Sequence, residues 1–138
     1  LENDVKTRTD FILEKVAFVE DRSPVTVKVY REKLEQKIKE LIGDVQVDEQ
    51  RLLTETAIFA DKVAVAEETV RLKSHIKQFC SLLDSGEPIG RKLDFIVQEM
   101  NREANTIGSK AQDIEIAHTV VDIKSEIEKI REQIQNIE

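Results

Sequence analysis

Seven residues near the C-terminal end, Ile116, Val120, Ile123, Ile127, Ile130, Ile134 and Ile137, recur at alternating spacings of four and three. This heptad rhythm lays one apolar seam along an α-helix. Lys124, Glu126, Glu128, Lys129, Arg131 and Glu132 surround the seam with charge. A helix of this kind needs partners against which to bury its isoleucines. The rest of the chain offers few residues that stop helices: four Gly and two Pro in 138 residues, with 36% of positions charged and 40% hydrophobic. Such a composition belongs to long helices, and a sheet-based domain of this size would need many more turn residues. The expected fold is all-α, a long-helix antiparallel hairpin or bundle with coiled-coil-like packing. It is expected to form a single helical domain over residues 1–138.

The few breakers place the helices. A first helix is expected from about Leu1 to Glu20, with Val5, Ile12, Val16 and Val19 among its buried positions. Asp21-Arg22-Ser23-Pro24 ends it, and Ser23-Pro24 reads as the N-cap and first position of a second helix. That helix runs through Val29, Leu34, Ile38 and Leu41 to about Ile42, with Gly43 as its stop. Asp48 opens a third helix that meets no breaker before Asp84, roughly 55 Å at 1.5 Å per residue. Ser85-Gly86-Glu87-Pro88-Ile89-Gly90 is the clearest loop. A fourth helix follows, with Thr106 to Ser109 and Gly108 marking a kink or break, and the isoleucine helix starts near Gln112. The third helix matches the fourth plus fifth in length, so the two arms are expected to fold back at the loop.

The net charge of −7 argues against a simple basic nucleic-acid binder. An anionic polymer would have to be held by a local Arg/Lys cluster, by bound metal or by another part of the protein. It does not exclude a metal-dependent nuclease, because metal sites themselves need carboxylates. The single cysteine, Cys80, makes no intramolecular disulfide and no Cys-based zinc site, and reads as a small hydrophobe on a helix. No apolar run approaches the roughly 20 residues needed to span a bilayer, and no signal-peptide pattern is present. A soluble cytoplasmic protein is the expectation. The chain opens on Leu1 with its periodic pattern already under way, as a piece of a longer polypeptide would.

The run from Gly90 to Lys110, GRKLDFIVQEMNREANTIGSK, carries the most unusual surface. At 100° per residue, Leu93, Ile96, Val97, Met100, Ala104 and Ile107 gather on one side. Arg91, Asp94, Gln98, Asn101, Arg102 and Asn105 share the opposite sector. Asn is a poor helix former, and an ordinary surface would use Glu, Lys or Ala. Amides and guanidinium forks suit a face that hydrogen-bonds something in fixed geometry. The plainer alternative is a polar seam between helices of one bundle.

On the third helix, Asp61, Glu68 and His75 are spaced by seven, with Arg71 three beyond Glu68, all within about 80° of arc. Glu68 and His75 lie two turns apart, too far to chelate one metal as an i, i+3 or i, i+4 pair does. His75 could meet a carboxylate or metal held by a facing helix, or act as a general base. The plainer alternative is a partly buried histidine bonded to a neighbouring carboxylate. His118, near the apolar seam, is a weaker candidate. Glu99 and Glu103 lie well around the helix from Asp94, so these three carboxylates need other helices to share a metal. No Walker A, GxSxG, HExxH, EF-hand or CxxC pattern occurs.

Three segments in order, AEETVRLKSHIKQF (66–79), GRKLDFIVQEMNREANTIGSK (90–110) and EIEKIREQIQNIE (126–138), resemble the C-terminal half of YicC/YloC-type bacterial proteins. The resemblance covers nearly the whole chain. It implies a bacterial cytoplasmic endoribonuclease acting on RNA and not DNA, and assembling as a homo-oligomer of hexameric size. It further implies a divalent metal (Mg or Mn) and an additional N-terminal domain of comparable length. The family's signature positions fall here on Glu68, Arg71, His75, Arg91, Asp94, Gln98, Glu99, Asn101, Arg102, Glu103, Asn105, Ser109 and Lys110. Within that set Glu68, His75, Asp94 and Glu99 are the expected metal-binding or acid–base groups. Arg71, Arg91, Arg102 and Lys110 are expected to hold phosphates, and Asn101 and Asn105 to orient the RNA. The rival reading is a helical oligomerisation or adaptor module with no chemistry of its own. The Arg91–Asn105 face and the Glu68–Arg71–His75 stripe are expected to form two walls of one site across the Ser85–Gly90 turn.

Overall fold

The computed structural model describes residues 2–43, 46–86 and 90–137, and the described residues form five helices with no strand. They are α1 (Glu2–Ile42), α2 (Glu49–Lys62), α3 (Ala66–Asp84), α4 (Gly90–Lys110) and α5 (Ile114–Ile137). The N-terminal half of α1 joins α3, α4 and α5 in a bundle. In it α3 packs on α4, α4 on α5, α5 on α1 and α1 on α3. Long-range ion pairs give the directions. Arg8 meets Glu126 and Arg22 meets Asp113, so α1 and α5 are antiparallel, and Lys6–Asp84 with Lys73–Glu20 sets α1 antiparallel to α3.

The isoleucine seam is consumed inside this bundle. Ile116, Val120, Ile123, Ile127, Ile130 and Ile134 are all buried, meeting Val5, Ile12, Val16 and Val19 of α1 and the apolar side of α4 in one core. Phe79, Leu72 and Ile76 bring α3 into the same core. Ile137 of the seam has no described side chain, and most of the Ser85–Gly90 loop, residues 87–89, lies outside the described residues.

Two helix boundaries differ from the sequence reading. The expected stop at Asp21–Pro24 is absent: α1 continues through Pro24 as one helix of 41 residues. Proline in a helix interior removes a hydrogen bond and crowds the preceding turn. Tertiary contacts hold the helix just before it. Glu20 pairs with Lys73, and Arg22 donates two bonds to Asp113 at 3.1 and 3.0 Å. Pro24 itself faces outward.

The expected third helix, Asp48 to Asp84, is instead broken between Lys62 and Ala66. No glycine or proline marks the break. Val63 and Val65 are both buried, at 3% and 2% exposure. In a continuous helix they would point about 200° apart, and only Val65 belongs to the main core.

The α4–α5 boundary falls where the sequence puts it. Gly108 does not break α4, which runs on to Lys110. A Cβ at Gly108 would stand 3.1 Å from Val120 Cγ1, so the missing side chain serves the close approach of α5. Asp113 then caps α5, accepting from the backbone N–H of Ile116 at 3.1 Å.

Beyond Pro24, α1 leaves the bundle and α2 runs back along it as a two-helix arm. Asp48 caps α2 by accepting from Arg51 N, and Tyr30 stacks on Phe59 with ring centroids 3.9 Å apart.

Candidate active site

Because α3 and α4 are antiparallel, the start of α3 faces the end of α4. Three residues of each then meet in a ladder. Lys110 Nζ donates to Glu68 Oε2 at 3.1 Å, and Arg71 Nε donates to Glu103 Oε2 at 3.0 Å. His75 Nε2 lies 3.8 Å from the same Glu103 oxygen, beyond hydrogen-bond length but within reach of a small shift. Glu99, one turn back on α4, completes the group. One imidazole nitrogen of His75 and one carboxylate oxygen each from Glu99 and Glu103 all lie within 4.8 Å of one another.

Burial sharpens the chemistry. The side chains of Glu68 and Glu103 are only 5% and 8% exposed, His75 23%, while Arg71 and Lys110 reach solvent at 48% and 35%. Two carboxylates are therefore held nearly dry, each with a cation roofing it. The hydrogen bond to Glu103 raises the affinity of the Arg71 guanidinium for its proton above the ordinary value, against the opposing effect of desolvation. Glu68 Oε1 is buried with no hydrogen-bond partner among the described residues, and so is Asp94 Oδ1. Buried oxygens left open in this way suit an ion or a water.

The donor set fits a divalent cation. Glu99 and Glu103 stand at i, i+4, which places their carboxylates on one side of α4. Two oxygens and an imidazole nitrogen match Mn, which accepts mixed ligands, better than Mg, which prefers oxygen and water. Glu103 would have to share its carboxylate with Arg71.

The structure divides the residues picked out in the sequence. Glu68, Arg71, His75, Glu99 and Lys110 line the α3–α4 ladder. Asp94 stands apart from this ladder in its bonding: its Oδ2 accepts from Gln98 Nε2 at 3.0 Å, and it is not a member of the His75 group. Arg91, Gln98, Arg102 and Asn105 are exposed and Asn101 is partly so. Arg102 reaches back to Glu99 at 3.6 Å. This face is not a seam inside the bundle, and it is not the wall opposite the α3 stripe. The opposite wall is the Glu99–Glu103–Lys110 edge of α4, and the amide-rich face lies next to that edge, turned to solvent. Ser109 bonds back to the Thr106 carbonyl. His118 is exposed on α5 in a groove with Phe11 and Phe18 of α1.

Glu103 is the hub that the residue pattern alone did not single out for chemistry. Its signal was present: a glutamate at the margin of the apolar side, seven residues before Lys110 and four after Glu99, on a helix whose neighbour carries Arg and His at matching heights.

Known proteins place this chain in a family. The model for "Endoribonuclease YicC-like, C-terminal" matches residues 19–138. A protein of Clostridioides difficile named probable endoribonuclease YicC is 52% identical over 139 residues, covering all of this chain and 47% of that protein. A protein of the same name from Haemophilus influenzae is 38% identical over 134 residues, covering 97% of this chain and 46% of its own length. The chain thus spans about half the length of the curated relatives it matches. With the ladder residues inside the matched region, the chain belongs to the YicC-like endoribonuclease family, in its C-terminal part.

Proposed function

We propose that this chain supplies the cleavage site of an endoribonuclease, cutting RNA at the seam between α3 and α4. The observation that carries the reading is the convergence of a histidine nitrogen and two carboxylates within 4.8 Å, beside Arg71 and Lys110, in a chain whose relatives bear an endoribonuclease name. In this reading His75 takes the proton of a ribose 2′-hydroxyl, and Glu103 holds the imidazole and the charge it gains. The 2′-oxygen bonds to the adjacent phosphorus as the bond from phosphorus to the 5′-oxygen breaks. A 2′,3′-cyclic phosphate forms, and the departing 5′-oxygen takes up a proton. Arg71 and Lys110 sit where the phosphate charge develops. The solvent-facing Arg91 and Arg102 hold neighbouring phosphates, and Asn101 and Asn105 orient the strand.

In the metal-dependent form of this reading a divalent cation, Mn before Mg, would be held by His75, Glu99 and Glu103, and His75 would then serve as a ligand and not as the base. When bound it supplies a counter-charge for phosphate and a more acidic water. The same reading places the protein in the cytoplasm as a homo-oligomer, a hexamer by the family resemblance, with RNA and not DNA as its substrate.

Cleavage of a fluorophore–quencher RNA tests this. His75→Ala and Glu103→Gln are expected to lose activity by about 10²–10⁴-fold with helical content unchanged, and Asp94→Ala reports whether that carboxylate takes part. Retained cleavage in both His75→Ala and Glu103→Gln would sink the assignment. Loss of activity in EDTA, restored by Mn, assigns the metal, and indifference to EDTA leaves the His75 route. An RNA-binding chain that never cuts would favour the second reading, a non-catalytic helical oligomerisation or adaptor module. The exposed apolar arm is the observation on its side.

A further inference from the structure

We propose that Phe95 is the stacking platform for one unpaired nucleobase of the RNA, one helical turn from the His75–Glu99–Glu103 group. The inference rests on the cleavage reading for the nature of its ligand, and it adds a binding residue with a test of its own.

Phe95 is the one large apolar side chain that α4 leaves in water. It is 62% exposed, whereas Leu93, Ile96, Val97, Met100 and Ile107 are buried. A single exposed apolar residue is ordinary; the setting of this one is not. Counting 100° per residue along α4, Phe95 falls about 20° from Arg102, about 40° from Arg91 and about 40° from Glu99. It therefore stands between the solvent-facing strip of amides and arginines and the edge that carries Glu99, Glu103 and Lys110. Glu99 is four residues on, so the two side chains are neighbours on the helix surface, roughly 5–6 Å apart at Cβ. RNA that reaches from the arginines to the His75 group passes this ring.

The other aromatic rings are engaged or lie elsewhere. Phe79 is wholly buried, Tyr30 and Phe59 stack on each other, and Phe11 has Lys15 Nζ over its ring at 5.0 Å. Phe18 lines the groove between α1 and α5. Phe95 makes no ring or cation contact among the described residues, so its face is open to a flat partner. Charge selects that partner. Arg91 and Lys92, one turn before Phe95, are exposed and form no ion pair among the described residues. Arg102 reaches only as far as 3.6 Å from Glu99. Cations around an open aromatic ring suit a base with its phosphates: the ring takes the π-face, and the guanidinium and ammonium groups take the backbone. Bases inside a duplex are stacked on both faces, so a base that stacks on Phe95 is an unpaired one.

The test uses a short unstructured RNA that cannot be cut, because fluorine replaces every 2′-hydroxyl. The chain has no tryptophan, so Phe95→Trp places a single emission signal at the platform. That emission is expected to be quenched when the RNA binds, and to stay unquenched when an abasic version of the same backbone binds, with binding followed by the anisotropy of an end label. Phe95→Ala is expected to weaken binding by roughly 5- to 150-fold, the worth of one base–aromatic stack, and to change nothing on the abasic backbone. Phe95→Tyr should keep the affinity, and Phe95→Leu, apolar but without a π-face, should lose it. Emission already blue-shifted before RNA is added marks a ring covered by protein and overturns the proposal. Binding without quenching, a Phe95→Leu chain that binds as the parent does, or no binding at all would overturn it too. The probe separates the two readings. Cleavage lost in His75→Ala with no stacking signal at residue 95 removes the platform and leaves the cleavage site; a stacking signal with cleavage untouched in His75→Ala does the reverse.

Discussion

Removing Lys110 should expose how dearly the α3–α4 seam holds its buried charge. Lys110 is the only cation bonded to Glu68 among the described residues, and the other carboxylate oxygen already lacks a partner. Lys110→Met keeps the length and apolar stem of the side chain and deletes the charge. Breaking a fully buried pair from one side costs about 3–5 kcal/mol. Here Glu68 is 5% exposed but Lys110 is 35% exposed, so solvent screening brings the expectation to about 2 kcal/mol. For a chain of this length that is a fall in Tm of roughly 7 °C. Glu68→Gln should cost less, about 1 kcal/mol or under, because the lysine left behind can turn to water. The double variant should resemble Glu68→Gln alone, leaving a coupling of about 2 kcal/mol. Thermal and urea melts followed by circular dichroism measure all four corners of the cycle. Equal costs for the two single variants that simply add would refute the account of Glu68 as a carboxylate that depends on Lys110.

Other expectations follow from the bundle. Asp113 is held below the ordinary carboxylate range chiefly by its hydrogen bond from Arg22; a lowered native value means that its stabilisation is complete above about pH 4 and fades as pH falls through that value. Asp113→Asn, which keeps a capping side chain but loses the charge that Arg22 holds, should therefore lower the neutral Tm and flatten the acid limb of the stability–pH curve below about pH 4. Pro24→Ala should stabilise α1 by about 1 kcal/mol or more, since it returns a backbone N–H to a helix that already runs through the site, and a melt that shifts downward would contradict this. Ile123→Ala, at a position with 0% exposure, should cost about 2–5 kcal/mol, read from the urea midpoint at unchanged slope.

How much was legible in the sequence depended on whether the deciding force was local. The span of α4 and the buried strip of α5 were readable because an apolar period and a run free of breakers are properties of neighbouring residues. Pro24 misled, since its local preference for a helix start was outweighed by contacts to Lys73 and Asp113, far along the chain. The gap at Val63–Val65 was invisible for the opposite reason: nothing local forbids helix there, and both valines are buried only once the helices are assembled. In the site, the stripe of α3 was found by its period, but its partner was sought on the wrong edge of α4. Amides and arginines stood out by composition. Glu99 was named only through the family resemblance, and Glu103 showed only as a glutamate at the margin of the apolar side until α3 is laid against it.

The pairing of α1 with α5 has a consequence for how the protein is made. Arg8 and Glu126 are bonded across 118 positions of sequence, and Asp4 accepts from Gln133. At about 5–20 residues per second of synthesis, α1 must wait many seconds, with the flank it turns to α5 uncovered, before that helix leaves the ribosome. The intervening helices can form their own hairpin from α3 and α4 first. The nascent chain therefore passes through a stage with one apolar flank open, when a chaperone or a neighbouring nascent copy has its best chance of binding it.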